Sequence, residues 1–368
     1  MVRGLGWMVA LAAMSLAAGG GALWCTEGAG AAACWLLGSG TATIVVLRYV
    51  WHHRTENRPS PDAPPYATLG IANGVTLARG LAVAMMVGFF CPLVLGTEWA
   101  RWMPGLLYTF VAVSDWWDGF LARTTGQASL LGARLDLQLD AWGVLLASGL
   151  AVALGRLPWW YLLVGLAREI YLGVLALARR LGRVPRPMQP NPMRRATAGL
   201  MMAFLAVSLW PFFPPAALRV VGLWFFLPFM AGFVQDLGYA LVPHLQPTWL
   251  PTPSPLFLFG LRLLAAIGWV VGAFSALRAL PWLLFVASLL AVGLALGVLP
   301  RMTALLALLV WGVSWSLGAP IPHPWRDGVA ALLTAVAFWG GGRACLWALD
   351  DVVFLTALGG DSLVAEDG

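Results

Sequence analysis

Four aspartates carry the chemistry that this sequence offers. Asp115, Asp118, Asp136 and Asp140 fall within 26 positions that otherwise read as apolar helix. A carboxylate at membrane depth costs about 2.5–3.5 kcal/mol even on the mildest scale, and it marks a function by default. Asp115 and Asp118 stand at i and i+3, and Asp136 and Asp140 at i and i+4, so each pair shares one face of its helix. If the two helices form an antiparallel hairpin across a loop near 123–130, both pairs converge at similar depth. Four anions gathered in this way repel one another. The natural compensation for an all-oxygen set is a hard divalent cation, Mg²⁺ or Mn²⁺, in one or two copies. Gly119 and Gly132 let the backbone approach whatever binds, and Arg123 adds a cation suited to a phosphate. The plain alternative is four polar residues scattered over bundle interiors and loops. It leaves the paired spacing, the two glycines and the arginine unexplained.

The elements that must position these residues are membrane helices. Of 368 residues, 60% are hydrophobic and only 10% charged, against roughly 25% charged in soluble domains. No soluble fold hides so much apolar surface, and the same composition excludes disorder, collagen, coiled coil and a disulfide scaffold. At about 20 residues per span, apolar segments bounded by Gly, Pro or charge predict helices near 7–24, 31–50, 77–95, 103–121, 131–153, 158–178, 198–213, 220–242, 255–277, 281–299, 302–318 and 328–348. The expected fold class is therefore all-α, a polytopic membrane protein of about 12 transmembrane helices grouped 2 + 6 + 4. Arg3 and the apolar run after it resemble a signal peptide, but a second apolar segment follows a short loop. The pair reads as a retained hairpin.

Two composition breaks divide the chain. The polar, Pro-rich stretch HHRTENRPSPDAPP (52–65) reads as a linker, and PHLQPTWLPTPSPL (243–256) holds five prolines. They predict an N-terminal hairpin at 1–51, a six-helix core at 60–245 and a four-helix segment at 255–352, followed by a short acidic tail read as disordered. All 22 basic residues are Arg, and with an N-terminus inside, thirteen of them fall in inside loops against five outside. That asymmetry is an orientation signal toward cytoplasm and anionic lipid, and the net charge of +6 is no argument for nucleic acid. Cys25, Cys34, Cys91 and Cys345 lie far apart with no CxxC or Cys/His pairing, so they read as packing residues, with neither metal site nor disulfide implied.

The stretch DWWDGFLARTTGQASLLGARLDLQLD (115–140) resembles the signature of the CDP-alcohol phosphatidyltransferase family, D-x2-D-G-x2-A-R-x8-G-x3-D-x3-D, at every fixed position: Asp115, Asp118, Gly119, Ala122, Arg123, Gly132, Asp136 and Asp140. Upstream, ANGVTLARG (72–80) is similar to the family's P-N-x-x-T-x-x-R, giving Asn73, Thr76 and Arg79, with Ala72 in place of the usual Pro. The resemblance covers roughly residues 65–245 and implies a six-helix core with its active site open to the cytoplasmic side of a bacterial-type inner membrane. It implies transfer of a phosphatidyl or similar group from CDP-diacylglycerol or a related CDP-alcohol to an acceptor hydroxyl, with release of CMP. It implies Asp115, Asp118 and Asp136 as metal ligands, and Asp140 as general base and second-ion ligand. Gly119, Ala122, Arg123 and Gly132, with Asn73 and Thr76 nearby, fall to the nucleotide pocket. The family likeness also predicts a homodimer.

For the acceptor, Arg168 in LAREIY and Arg194 and Arg195 in the six-arginine loop 179–199 are the candidate cations. They suit a phosphorylated polyol such as glycerol 3-phosphate or inositol phosphate, while a structural pair at Arg168–Glu169 and an ordinary inside-loop charge cluster are the plain alternatives. The sequence has M-R-R-A-T where some relatives show Gly-Lys-x-Lys-Thr. The last four apolar segments, with GLALGVLPRMTALLALLVW (293–311) and WGGGRACLWALDD (339–351), resemble a DoxX-like membrane domain. Pro300, Cys345 and Trp347 depart from that pattern, and a plain helical appendage is the alternative. Two other classes compete with a transferase. A transporter using midplane carboxylates explains the acids but not the fixed Gly, Ala and Arg positions, and a redox or scaffold protein rests on the C-terminal segment alone.

Overall fold

A computed structural model describes residues 5–125, 129–186, 192–242, 254–276, 281–316, 323–339 and 345. Among them the elements are α1 (Leu5–Glu27), α2 (Ala29–His52), α3 (Ile71–Val87), a single turn α4 (Pro92–Leu95), α5 (Glu98–Thr125), α6 (Leu130–Ala153), α7 (Leu162–Arg180), α8 (Pro192–Ser208), α9 (Pro215–Leu241), α10 (Pro255–Ala276), α11 (Pro281–Leu296), α12 (Pro300–Ser316) and α13 (His323–Trp339). The described residues form no β-strand. Among the described residues seven stretches, in α1, α2, α3, α6, α7, α9 and α10, are long and apolar enough to cross a membrane. The protein is an all-α, polytopic integral membrane protein. The expected acidic tail and the closing segment 340–351, apart from Cys345, lie outside the described residues.

One helix starts well before its expected span. The periodic apolar window put it at 77–95, whereas α3 runs Ile71–Val87. Asn73, Thr76 and Arg79 hide its first turns from a hydropathy reading, yet all three are buried inside it. It ends at Val87 and passes into a tighter 3-10 turn at Gly88–Phe90, after which Pro92 favours extended backbone at Cys91.

Contacts divide the chain into two units, Met1–Arg168 with Leu205–Pro211, and Glu169–Phe204 with Phe212–Gly368. In the first unit α1 and α2 pack as a hairpin, turning at Gly28 with φ of 93°. The hairpin packs directly on the helices that follow: Met8, Ala12, Val46 and Val50 share one apolar cluster with Leu77 and Leu81 of α3 and Leu135 and Leu139 of α6. Near the start of α2, a methyl group on Gly38 would sit 3.2 Å from the Gly88 Cα, a small-residue crossing of the kind membrane helices use. Here the reading of the cysteines needs correction, because Cys34 and Cys91 form a disulfide with Cα atoms 6.1 Å apart. A separation of 57 residues concealed a contact that only the α2–α3 crossing creates.

The stretch 52–65 is also more than a linker. Asn57 is fully buried and donates to the Thr68 carbonyl at 2.8 Å, while Tyr66 N donates to its carbonyl at 2.7 Å. The Arg58 carbonyl accepts from Leu130 N at 2.9 Å, and Glu56 pairs with Arg134 at 2.8 Å, which straps the segment across the first turn of α6.

In the second unit Tyr171, Leu175 and Ala240 pack together, and Arg186 lies over the Tyr239 ring at 4.2 Å. The four helices α10–α13 bury Trp269 against Trp311, with ring centroids 5.5 Å apart. Trp269 Nε1 donates to the Ala287 carbonyl at 2.8 Å.

Candidate active site

The site is built on the first turns of α6. Ser129 caps the helix, its hydroxyl accepting from Gly132 N at 3.0 Å, and so satisfies one amide that the helix start would leave open. One and two turns on, Asp136 and Asp140 share a face with Gly132, their side chains 44% and 34% exposed. Opposite them on α3 stands Arg79, completely buried. Its Nη2 is ion-paired with Asp136 and lies 3.6 Å from Asp140. A buried guanidinium costs several kcal/mol unless paired, so this arginine can stay only because the carboxylates meet it.

The two helices run side by side in register. Asn73 faces Gly132, Arg79 faces Asp136, Gly80 faces Leu139, and Val83 faces Gly143. A methyl on Gly132 would lie 2.6 Å from Asn73 Oδ1, so glycine is required there by the Asn73 amide itself. Asn73 Nδ2 in turn donates to Asn57 Oδ1 at 3.0 Å and to the Leu69 carbonyl at 2.7 Å, and its Oδ1 accepts from Ser129 Oγ at 3.3 Å. Thr76 is buried and donates to the Ala72 carbonyl at 3.1 Å.

Helix α5 packs on the same face of α6 and runs in the opposite direction: Gly143 meets Val111 and Tyr108, while nearer the start of α5 Trp210 bonds both Thr109 and Arg156, which lies just past the end of α6. From the Gly143 contact the antiparallel register brings the α5 backbone at 115 and 118 to the level of Asp140 and Asp136. The side chains of Asp115, Asp118, Gly119, Ala122 and Arg123 lie outside the described residues, as do those of Arg194 and Arg195. Arg168 is described: its Nη2 donates to Gln138 Oε1 at 3.3 Å. Gln138 is two residues from each aspartate, about 200° around an α-helix, so it leaves α6 on the side away from them.

Two half-exposed carboxylates on one helical face are hard oxygen donors, and Asp136 and Asp140 fit a hard divalent cation on that ground. Among the described residues no group of three such ligands gathers, half of the aspartate set lying beyond them. Residues that sequence reasoning passed over are Asn57, Ser129 and Gln138. Ser129 was findable as a capping serine before an apolar run.

Residues 69–232 match the family model for CDP-alcohol phosphatidyltransferase. Members of that family generally depend on a divalent metal ion. Among curated relatives, a CDP-diacylglycerol--glycerol-3-phosphate 3-phosphatidyltransferase of Pectobacterium atrosepticum is 38% identical over 103 residues, 27% of this chain and 56% of the relative. The protein of that name from Yersinia enterocolitica is 36% identical over 111 residues, 29% of this chain and 58% of the relative. A Mycobacterium tuberculosis protein named "Putative cardiolipin synthase" is 33% identical over 125 residues, 34% of this chain and 59% of the relative. The chain thus spans less than two thirds of the length of these relatives. No solved structure matches it. The hairpin α1–α2, the strap and α10–α13 lie outside the matched segment.

Proposed function

We propose that this protein transfers the phosphatidyl group of CDP-diacylglycerol to a hydroxyl of glycerol 3-phosphate and releases CMP. The observation that carries the reading is the pair Asp136 and Asp140, half-exposed on one face of α6 and met by the buried Arg79, within a segment that matches the family. The acceptor oxygen attacks the phosphorus that bears the diacylglycerol, and the bond from that phosphorus to the bridging oxygen of the pyrophosphate breaks. CMP leaves with the electron pair, and Asp140 takes the proton of the attacking hydroxyl. A divalent ion, or two, supplies charge stabilisation for the phosphoryl group and the departing CMP when bound. Asp115, Asp118 and Asp136 would hold it, with Asp140 reaching a second. Arg79 keeps Asp136 and Asp140 turned to the α3 side of the helix. Gly119, Ala122, Arg123 and Gly132 border the nucleotide, with Asn73 and Thr76 shaping that border from beneath, and Arg194 and Arg195 take the acceptor phosphate.

The orientation we infer puts the aspartates on the cytoplasmic side of a bacterial inner membrane. The arginine asymmetry supports it. So does the Cys34–Cys91 bond at the opposite end of α2 and α3, since disulfides persist on oxidising sides. A homodimer belongs to the same proposal, as does a DoxX-like identity for α10–α13.

The test is CMP release by the purified full chain in nanodiscs from CDP-diacylglycerol, with a panel of acceptors and product mass determined. Glycerol 3-phosphate as the preferred acceptor is expected. No CMP release with any acceptor overturns the reading. A second reading is favoured by the name of the mycobacterial relative. Cardiolipin carries two phosphatidyl groups on one glycerol, so that reaction would show phosphatidylglycerol as acceptor in the same panel.

A further inference from the structure

The strap before α3 is polar, Pro-rich and outside the segment that matches the family, yet it holds one of the most completely buried polar residues of the first unit. An amide buried without partners costs about 1–3 kcal/mol. Asn57 instead satisfies a chain of groups. Its Nδ2 donates to the Thr68 carbonyl, its carbonyl accepts from Tyr66 N, and its Oδ1 accepts from Asn73 Nδ2 at 3.0 Å. Asn73 Oδ1 accepts from Ser129 Oγ, which caps Gly132 N, and the neighbouring Arg58 carbonyl takes Leu130 N. Two amides of the α6 first turn are thereby fixed, one by the strap itself and one by the serine that the Asn57–Asn73 pair holds. Gly132 sits against Asn73 with no room for a methyl group, and Asp136 follows one turn later on the same face.

We propose that Asn57 is a positioning residue for the α6 carboxylates. Through Asn73 and Ser129 it sets the height and rotation of the first turn of α6, and so the place at which Asp136 and Asp140 present their oxygens. Metal–oxygen distances tolerate only about 0.2 Å of error, so slack in this clasp reaches the ligands directly. The inference rests on the transferase reading through the metal role of those aspartates.

The experiment uses the full chain in nanodiscs, stripped of metal. Mn²⁺ binding is followed by the electron paramagnetic resonance signal of free Mn²⁺, alongside thermal midpoint and turnover. Asn57→Ala is expected to weaken Mn²⁺ binding about 10- to 100-fold, as loss of a residue supporting a ligand does, and to lower kcat while the KM for CDP-diacylglycerol at saturating Mn²⁺ holds. Ser129→Ala should move the same quantities, and the double variant should fall short of the product of the two single effects because both act through one clasp. Unchanged Mn²⁺ affinity in the folded fraction of Asn57→Ala, with only a lowered thermal midpoint, overturns the proposal. If Asn57→Ala is not recovered folded, Ser129→Ala decides by the same measure. A wild-type protein that binds Mn²⁺ no better than Asp136→Asn overturns the metal assignment beneath it, a result distinguishable from failure of the clasp alone.

Discussion

Helices α2 and α3 are held together at both of their ends, but by opposite means. At one end Cys34 is bonded to Cys91, and Gly38 lies against Gly88 with Ser39 donating to the Met85 carbonyl at 3.0 Å. At the other, the strap, Asn73 and Ser129 form a polar clasp, and just beyond it Arg79 meets Asp136 and Asp140. The first end is shut by a covalent bond and close backbone approach. The second is held by hydrogen bonds and charge, and leaves carboxylate oxygens open to solvent. If the site admits glycerol 3-phosphate as proposed, apolar packing cannot close it. Its geometry has to come from polar contacts and from rigidity supplied elsewhere along the same helices.

If the two ends divide labour in this way, damage to them should dissociate. Asp136→Asn should cut turnover about a hundredfold or more, beyond what loss of a residue behind a ligand costs, and leave the thermal midpoint nearly unchanged, as read by CMP release and by melting in detergent. Wild-type turnover in that variant at saturating Mg²⁺ would refute the role of Asp136. Cys91→Ser should do the reverse: lose about 2–4 kcal/mol of stability, as removal of a bond closing a loop of this length does, and keep its turnover once folded. The matching check on the native protein is maleimide labelling after denaturation without reductant, which should reach two of the four cysteines and all four after reduction.

A smaller effect is expected at the acceptor. If Arg194 and Arg195 take the acceptor phosphate, replacing both by Gln should raise the acceptor KM by roughly 10- to 150-fold, the equivalent of about 1.5–3 kcal/mol for a charged hydrogen bond. The KM for CDP-diacylglycerol should hold, as when an interaction serves ground-state binding of one partner. An unchanged acceptor KM sinks the assignment and leaves the aspartates untouched.

How much of this was legible in the sequence depends on the distance over which each signal acts. The all-helical, membrane-spanning character and the pairing of α1 with α2 follow from spacing and hydropathy within one or two helices, and helices appear there. Arg79 was visible as a motif residue, but nothing local could say that its partner is Asp136, 57 residues away. The disulfide spans the same separation and was hidden for the same reason. The strap misled in a different way. Proline and polar residues mark irregular backbone correctly, but they do not say whether that backbone is free or docked, and only the neighbours of Asn57 decide it.

The finest division lies along one face of α6, between Gly132 and Gly143. Both are helical glycines, and in a helix interior alanine is favoured over glycine by about 0.8–1 kcal/mol. At Gly132 the new methyl would press to 2.6 Å on Asn73 Oδ1, whose amide is fixed by three partners, so Gly132→Ala should lose the helix gain and about 1–3 kcal/mol more to overpacking. At Gly143 the nearest atoms are Tyr108 Cε2 at 3.5 Å, then Val111 Cγ1 and Val83 Cγ2 at 3.7 Å, all ordinary contacts. Gly143→Ala should therefore raise stability slightly, by up to about 1 kcal/mol, and leave turnover as it was, because the added group fills space between α3, α5 and α6 without moving them. A clear fall in thermal midpoint for Gly143→Ala would mean that α5 approaches α6 more closely than these distances allow. The levels assigned to positions 115 and 118 opposite Asp140 and Asp136 would then need to shift with it.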